Sequence, residues 1–557
     1  MITGAHLLVK TLKSLGEHRI FGMCGDHVNA LFEACADEEV GIVDVRHESA
    51  ATHMADAWTR VTGGVGVSVV QGGPGHTNAI TGLATAWASG SPIVAISGMH
   101  RWNLKEKGCI QEIDQLEQVR GITKWSRIIT EPERLGEYLA LAFREATRGR
   151  PGPVHLTIPV NVLEASIDGS KIKIPIPTEY EKAGVKDTLL ESTLELLQRS
   201  ERPVVIAGSG VWWGKGCESL QKLIEMTEIP CFTTGMARGA VSDEADCGFG
   251  YADPLVNPVA NEIRESDAIL LVGTRMDYRL RFGNLFSEKA HLIHVDIEAS
   301  ELGKNRPAEI SIQADAGVFL SQLSEAAGKR KGWKSKPWLE RLRRGKQSSL
   351  EARQKLENSR ESPLHPLTVI KEVRETIGPE AIWVVDIGDF SQWSRVSLPA
   401  LKPGRWLRPG PFGTLGATIP FGIAAKIAKP DLPVVIITGD GAVGFHGWEL
   451  HTALRHKAPV IVIVGNDSGW GMERSLQQAS YKRTVGVDLG LVRYDKFIEN
   501  LGGHGEHVEK SEELKPALQR ALQSNKASCV NVMIQGLPSP LTQAIATQAK
   551  GSSEEKK

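Results

Sequence analysis

The chain alternates short β-branched runs with longer amphipathic stretches. GVGVSVV (64–70) and SPIVAIS (91–97) read as buried strands, with TNAITGLATAWASG between them as a helix. Strand, helix, strand in that order implies a parallel sheet with helices on its faces. GRPGPVHLTIPVNVL (149–163) closes this block with one more strand and Pro-rich turns. The same grammar returns in PVVIAGSG (203–210), AILLVGTR (268–275) and HLIHVDI (291–297). It returns again in AIWVVDIG (381–388), PVVIITGDG (433–441) and PVIVIVGND (459–467). The expected fold class is therefore α/β, with three doubly wound domains whose parallel sheets are covered by helices. The expected boundaries are a first domain over 1–165 and a middle, Rossmann-like domain over 186–325. A basic, helix-friendly linker over 326–362, a last domain over 363–540 and a mobile polar tail over 541–557 follow.

Composition narrows the function. A chain of 557 residues suits about three domains. Lys+Arg total 65 and Asp+Glu 66, a net charge of −1, which argues against a nucleic-acid partner. No apolar run reaches about 18 residues, so no membrane span is expected. The opening MITGAHLLVKTLKSLGEH lacks the apolar stretch and cleavage site of a secretory signal. Seven scattered cysteines without a CxxC pair suit a reduced, cytoplasmic protein and offer no zinc signature.

The candidate chemistry centres on two strand ends. One run ends in Gly439-Asp440-Gly441, and a helix starts at once. Glycines let backbone N–H groups approach an anion, and a helix start favours negative charge. Asp440 would repel that anion unless a cation lay between them. A second strand ends in Asn466-Asp467. Oxygen ligands on two strand ends beside a phosphate-friendly helix suggest Mg²⁺ bridging a diphosphate. Two ordinary strand-to-turn junctions are the plainer alternative.

The pair resembles the motif of thiamine-diphosphate-dependent enzymes, GDG followed by about two dozen residues and then NN. The resemblance implies metal ligands at Asp440, Asp467 and the carbonyl of Gly469, with Asp467 standing where that family usually has Asn. It also places Gly439, Gly441 and Ala442 on the diphosphate. RHESAATHMADAWTR (46–60) is similar to the family's segment carrying the acid that activates the aminopyrimidine ring, which would be Glu48. Taken alone, a Glu at a helix start is normally just a dipole stabiliser. QGGPGHTNAITGLATAW (71–87) resembles a cofactor-contacting turn and implies Gly73 and Asn78 there. His76 replaces a small residue and is assigned to the substrate pocket. GPFGTLGATIPFGIAAK (410–426) implies that the Gly413 carbonyl and Leu415 amide hold the aminopyrimidine, with the Leu415 side chain beneath the cofactor. The resemblance covers nearly the whole chain. It further implies a homodimer or homotetramer whose active site lies between subunits.

The reaction is less specific. GMCGDHVN puts Asp26-His27 where acetolactate synthases usually carry Gly-Ala or Gly-Gly, whereas benzaldehyde-lyase-like sequences carry His. GCIQEIDQLEQVRGITKW (108–125) resembles their stretch and turns Gln111 toward the cofactor. A neutral His can take a proton from a substrate hydroxyl. Trp470, Met472 and Leu489 would shape the substrate pocket. The leading expectation is a carbon–carbon lyase or carboligase with Glu48, His27 and Gln111 as catalytic residues. Its small-molecule substrate would be a 2-hydroxyacyl-CoA, split reversibly into formyl-CoA and an aldehyde or ketone. An acetolactate synthase catalytic subunit and a benzaldehyde-lyase-like acyloin enzyme are the alternatives. A non-catalytic homologue is a remote one, because Glu48 and Asp440 are both present. In the middle block GSGVWWGKG lacks GxGxxG, and Arg275 is placed for a phosphate or adenine contact. FAD, the ADP moiety of CoA, or nothing would bind there.

Overall fold

The computed structural model describes residues 1–178 and 181–554. Residues 179–180, in the stretch between the first two blocks, and 555–557, at the end of the expected tail, lie outside the described residues.

Three six-stranded sheets, parallel throughout, follow one another along the chain. The first comprises β2 (Arg19–Gly22), β3 (Gly41–Asp44), β4 (Gly66–Val70), β5 (Ile93–Met99), β6 (Trp125–Ile128) and β7 (Val154–Pro159). A short ribbon of β1 (Ile2–Thr3) and β8 (Ser166–Ile167) closes that domain. The middle sheet comprises β9 (Pro203–Ala207), β10 (Cys231–Thr233), β11 (Gly248–Tyr251), β12 (Ala268–Val272), β13 (His291–Asp296) and β14 (Ile310–Gln313). The last comprises β15 (Ile382–Val385), β16 (Trp406–Leu407), β17 (Val434–Gly439), β18 (Ile461–Asn466), β19 (His504–Val508) and β20 (Ser528–Met533).

The first sheet runs β3-β2-β4-β5-β7-β6 and the last β16-β15-β17-β18-β20-β19. Counted along the chain, these are the same topology. The middle sheet runs β11-β10-β9-β12-β13-β14 and reverses direction between β9 and β12. The central strands β4, β5, β9 and β12 are buried along their whole length. Helices cover both of their faces, which is why they read as unbroken apolar runs.

The first and last domains share one core. The helix Glu48–Thr62 starts under a His47 side-chain cap on the Ser49 N–H and stops at Gly63 in the left-handed region, φ +74°. It packs on Pro74–Ser89 of its own domain and on Thr418–Ala428 of the last domain. Ala50, Met54 and Ala57 join Phe421, Ile423 and Ala424 in a single cluster. Inside it Arg60 makes two 2.6 Å bonds to the Asp56 carboxylate and a third, also 2.6 Å, to the Arg408 carbonyl. Breaking a buried pair leaves an uncompensated charge and costs about 3–5 kcal/mol. Asp56→Ala should therefore move the first urea unfolding transition to distinctly lower denaturant. An unmoved transition would show that the pair does not clamp the two domains.

Two expectations about connections change. The expected linker holds one helix, Lys336–Glu357, whose Trp338, Leu339 and Leu342 are buried in the middle domain's core. The expected mobile tail begins as a helix, Pro540–Glu554, lying against the helix Gly471–Tyr481. Asp389 holds its start, accepting from the Ser539 N–H at 3.0 Å and the Thr542 hydroxyl at 2.5 Å. Among the described residues no helix is long and apolar enough to cross a membrane.

Candidate active site

β17 and β18 are paired neighbours, with Gly439 opposite Gly465. The two motif turns are therefore side by side at the C-terminal edge of the last sheet, where α/β folds bind ligands. Asp440 is 3 % exposed and accepts the Gly469 N–H at 2.8 Å. Burial, and then the neighbouring Asp467 carboxylate, push its pKa up to about 7. Burial likewise raises Asp467, with Arg474, 3.2 Å away, pulling the other way. A buried carboxylate and a half-buried one, both with pKa raised by burial, with a backbone turn alongside, form a donor set suited to a hard divalent cation. Gly469 lies on the same turn, and its carbonyl accepts the Gly471 N–H. A Cβ at Gly441 would lie 2.6 Å from the Trp470 ring, so glycine is what lets that indole cover the turn. The Leu489 N–H donates to the Ser468 carbonyl, which brings Leu489 to the same place, and Met472 follows half-buried on the next helix.

The 410–416 turn is held from two sides. Asp386, fully buried at the end of β15, accepts the Gly416 N–H and the hydroxyls of Thr418 and Thr438. The Thr414 hydroxyl bonds that of Thr85 on the first domain's helix at 2.7 Å. Gly413 has φ +76°. Among the described residues its carbonyl and the Leu415 N–H have no hydrogen-bond partner, so both are free for a ligand. His446 Nδ1 donates to the Gly416 carbonyl, and its Nε2 therefore accepts the Ser49 hydroxyl at 2.7 Å. The start of the Glu48 helix is thus tied to the end of the Asp440 helix. Glu48 is half-buried and accepts from the Asn78 side chain at 2.9 Å.

The first domain gathers the remaining candidates around Gln71, which sequence reasoning missed. Its side-chain oxygen accepts the His27 N–H at 3.0 Å. Its amide donates to Asp26 at 2.5 Å and to the Gln111 oxygen at 2.9 Å. His27 is 4 % exposed, and its Nδ1 is buried without a hydrogen-bond partner among the described residues. Burial lowers its pKa, so the ring is neutral near pH 7. Gln111 sits in the left-handed region, φ +63°, against Gly73, where a Cβ would lie 2.6 Å from Gln111 Cβ. Gln115, also missed, accepts the Gly73 N–H and donates to Gly98 and Thr157. The available signal was Gln71 in the motif segment QGGPG and Gln115 in QEIDQ.

His76 is placed differently from the expectation. It is fully buried, bonds Ser97 at 2.9 Å and lies against His155, with ring centroids 4.8 Å apart. Burial lowers its pKa to about 4. A neutral ring packed inside the first domain does not line a substrate pocket.

A concavity of about 490 Å³ opens at the β9/β12 reversal of the middle sheet. Arg60 and Arg150 of the first domain, Gly210, Arg275 and Asp296 of the middle one, and Arg408 of the last contribute to its wall. Arg275 is held there by a 3.0 Å bond to the Ala88 carbonyl. Burial raises Asp296 to about 6.

These features agree with comparisons against known proteins. Family models of the thiamine pyrophosphate enzymes match in three parts: the N-terminal TPP binding domain over 2–118, the central domain over 190–323 and the C-terminal TPP binding domain over 386–532. A probable acetolactate synthase of Mycobacterium bovis is 32% identical over 534 residues, covering 95% of each chain. The 2-hydroxyacyl-CoA lyase 2 of Homo sapiens is 30% identical over 544 residues, covering 90% of this chain and 84% of that one. A probable acetolactate synthase large subunit of Methanocaldococcus jannaschii is 32% identical over 548 residues, covering 95% and 92%. With all three domains matched in order and the strand-end carboxylates in place, this chain belongs to the thiamine-pyrophosphate-dependent enzymes that make and break carbon–carbon bonds.

Proposed function

We propose that the chain is a lyase that cleaves 2-hydroxyacyl-CoA thioesters reversibly into formyl-CoA and an aldehyde or ketone. One observation carries this reading: His27 offers a buried, neutral ring with an unpartnered Nδ1, on the same hydrogen-bond network as Gln111. Cleaving a carbon–carbon bond beside a hydroxyl requires removal of the hydroxyl proton, and a neutral imidazole suits that task. Bound thiamine diphosphate would supply a nucleophilic carbon and an electron sink. Asp440, Asp467 and the Gly469 carbonyl would hold its Mg²⁺, with Gly439, Gly441 and Ala442 around the diphosphate. Gly413 and Leu415 would hold the aminopyrimidine, and Glu48, fixed by Asn78, would exchange a proton with it. Gln111 would bond the substrate oxygen. Trp470, Met472 and Leu489 would enclose the acyl group.

The arginine-walled concavity in the middle domain suits the phosphates of an adenine nucleotide, as the ADP part of CoA or of FAD. The free state of all seven cysteines agrees with a cytoplasmic setting. The exposed Phe412, Phe445 and Trp448 beside the candidate site support a further subunit packing there.

A second reading, acetolactate synthase, is favoured by the relatives of that name. The two separate in a panel assay of 2-hydroxyacyl-CoA cleavage, benzoin cleavage and pyruvate condensation, run with thiamine diphosphate and Mg²⁺. The lyase reading expects cleavage of the thioester. It expects His27→Ala to lower that rate by about 10²–10⁴-fold, the usual worth of one positioned base, with cofactor affinity nearly intact. Steady acetolactate formation without cleavage of any 2-hydroxyacyl-CoA would sink it in favour of the second reading.

A further inference from the structure

The loop after β5 carries a cluster that the reaction above does not use. His100, Cys109 and Glu112 bring one ligand atom each to within 4.8 Å of one another. His100 is 7 % exposed, and its Nδ1 meets the Arg101 carbonyl at 3.1 Å. A carbonyl only accepts, so Nδ1 carries the hydrogen and the neutral ring keeps its lone pair on Nε2. That nitrogen is buried without a hydrogen-bond partner among the described residues. It lies 3.4 Å from Glu112 Oε1, lone pair toward lone pair. Two acceptors held face to face need a cation or a proton between them.

The third member and the surroundings fit a metal better. The Cys109 thiol sits in the same cluster and donates to the Leu104 carbonyl at 3.4 Å. The Glu112 carboxylate is oriented by three backbone N–H groups, those of Glu106, Gly108 (3.0 Å) and Cys109 (3.0 Å). These are the outer contacts that hold metal ligands in place: an Nδ1–H on a carbonyl for the imidazole, N–H donors for the carboxylate. A tetrahedral ion with bonds of about 2.0–2.1 Å sets its N and O ligands about 3.3–3.4 Å apart, the spacing of His100 Nε2 and Glu112 Oε1. Bringing the widest separation to that of a bound thiolate takes about 1 Å, within reach of a side-chain rotation.

We propose that His100 Nε2, Cys109 Sγ and a Glu112 oxygen bind a divalent transition metal, Zn²⁺ by donor type, with water in the fourth position. One thiolate, one imidazole and one carboxylate suit Zn²⁺ and not Mg²⁺, which takes oxygen ligands. On binding, the thiol proton leaves to solvent and the metal–sulfur bond forms, with no change of oxidation state. The site closes the backbone between residues 100 and 112 into a ring, and the neighbouring Gln111 is presented from inside that ring. Scattered cysteines gave no hint of this, because only one of the three ligands is Cys. The proposal rests on the cluster alone and not on the choice of reaction.

Co²⁺ titrated into the full chain, saturated with Mg²⁺ and thiamine diphosphate, tests it. One Co²⁺ per chain should bind with a near-ultraviolet thiolate charge-transfer band, and Zn²⁺ should abolish that band. Cys109→Ser should lose the band, and His100→Ala should weaken binding by more than the roughly 10-fold cost of an outer-shell change. Iodoacetamide labelling of the unaltered protein provides a readout independent of variant folding. Zn²⁺ should protect Cys109 and leave the exposed Cys24 reactive. Co²⁺ binding without a thiolate band, a band that survives Cys109→Ser, or Cys109 labelling indifferent to Zn²⁺ would each overturn the site.

Discussion

Asp440→Ala should yield a folded protein that no longer retains thiamine diphosphate or Mg²⁺. The carboxylate is buried, faces Asp467 and is anchored by the Gly469 N–H. Losing it removes one of the two proposed charged ligands and leaves Asp467 with Arg474. The affinity loss should exceed the 10–100-fold that outer-shell substitutions typically cost. The apoprotein should not suffer, because burial of this carboxylate is unfavourable without a cation. Calorimetric titration of the variant with cofactor and metal decides the matter. Retention of thiamine diphosphate at the unaltered affinity would remove Asp440 from the proposed metal set.

Glu48→Gln should do the reverse, binding cofactor while losing turnover. The amide keeps the shape of the side chain and an oxygen for Asn78, now at 2.9 Å from Glu48, but it cannot exchange a proton. A rate loss of about 10²–10⁴-fold is expected. Exchange of the cofactor's C2 proton, followed by NMR after acid quench, should slow in step. Unchanged exchange would take Glu48 out of the mechanism. The two variants together test the shared site. If Glu48 of one subunit serves the metal turn of another, mixing and reassembling the two inactive chains at random leaves about a quarter of the sites intact. If each chain completes its own site, mixing restores nothing.

The sheets were legible in the sequence because their central strands are covered on both faces. Runs such as PVVIA and AILLV announce that burial directly. The shared strand order of the first and last domains was not legible. Which strand pairs with which is decided by tertiary packing, and the two domains show no strong sequence repeat. The pair of strand-end carboxylates could be read because Asp440 and Asp467 end neighbouring strand runs and carry an unusual charge. The Gln71 network could not, because it joins positions 26, 27, 71 and 111 and neutral amides leave no local signature. His76 misled for a related reason: proximity to a glycine turn says nothing about which way a ring points. The tail looked polar by composition, yet one distant carboxylate, Asp389, caps it into a helix.

The concavity walled by Arg60, Arg275 and Arg408 has a consequence for how the chain comes apart. Residues from all three domains face the same space, so a ligand seated there touches each of them in the native arrangement and none of them once they separate. By mass action such a ligand stabilises the assembled form by about 2.7 kcal/mol at a hundred times its dissociation constant. The increment belongs to the union of the domains and not to any one of them. A nucleotide held in the middle domain would therefore act as a thermal rivet: melting that proceeds domain by domain in its absence would merge into one steep transition in its presence.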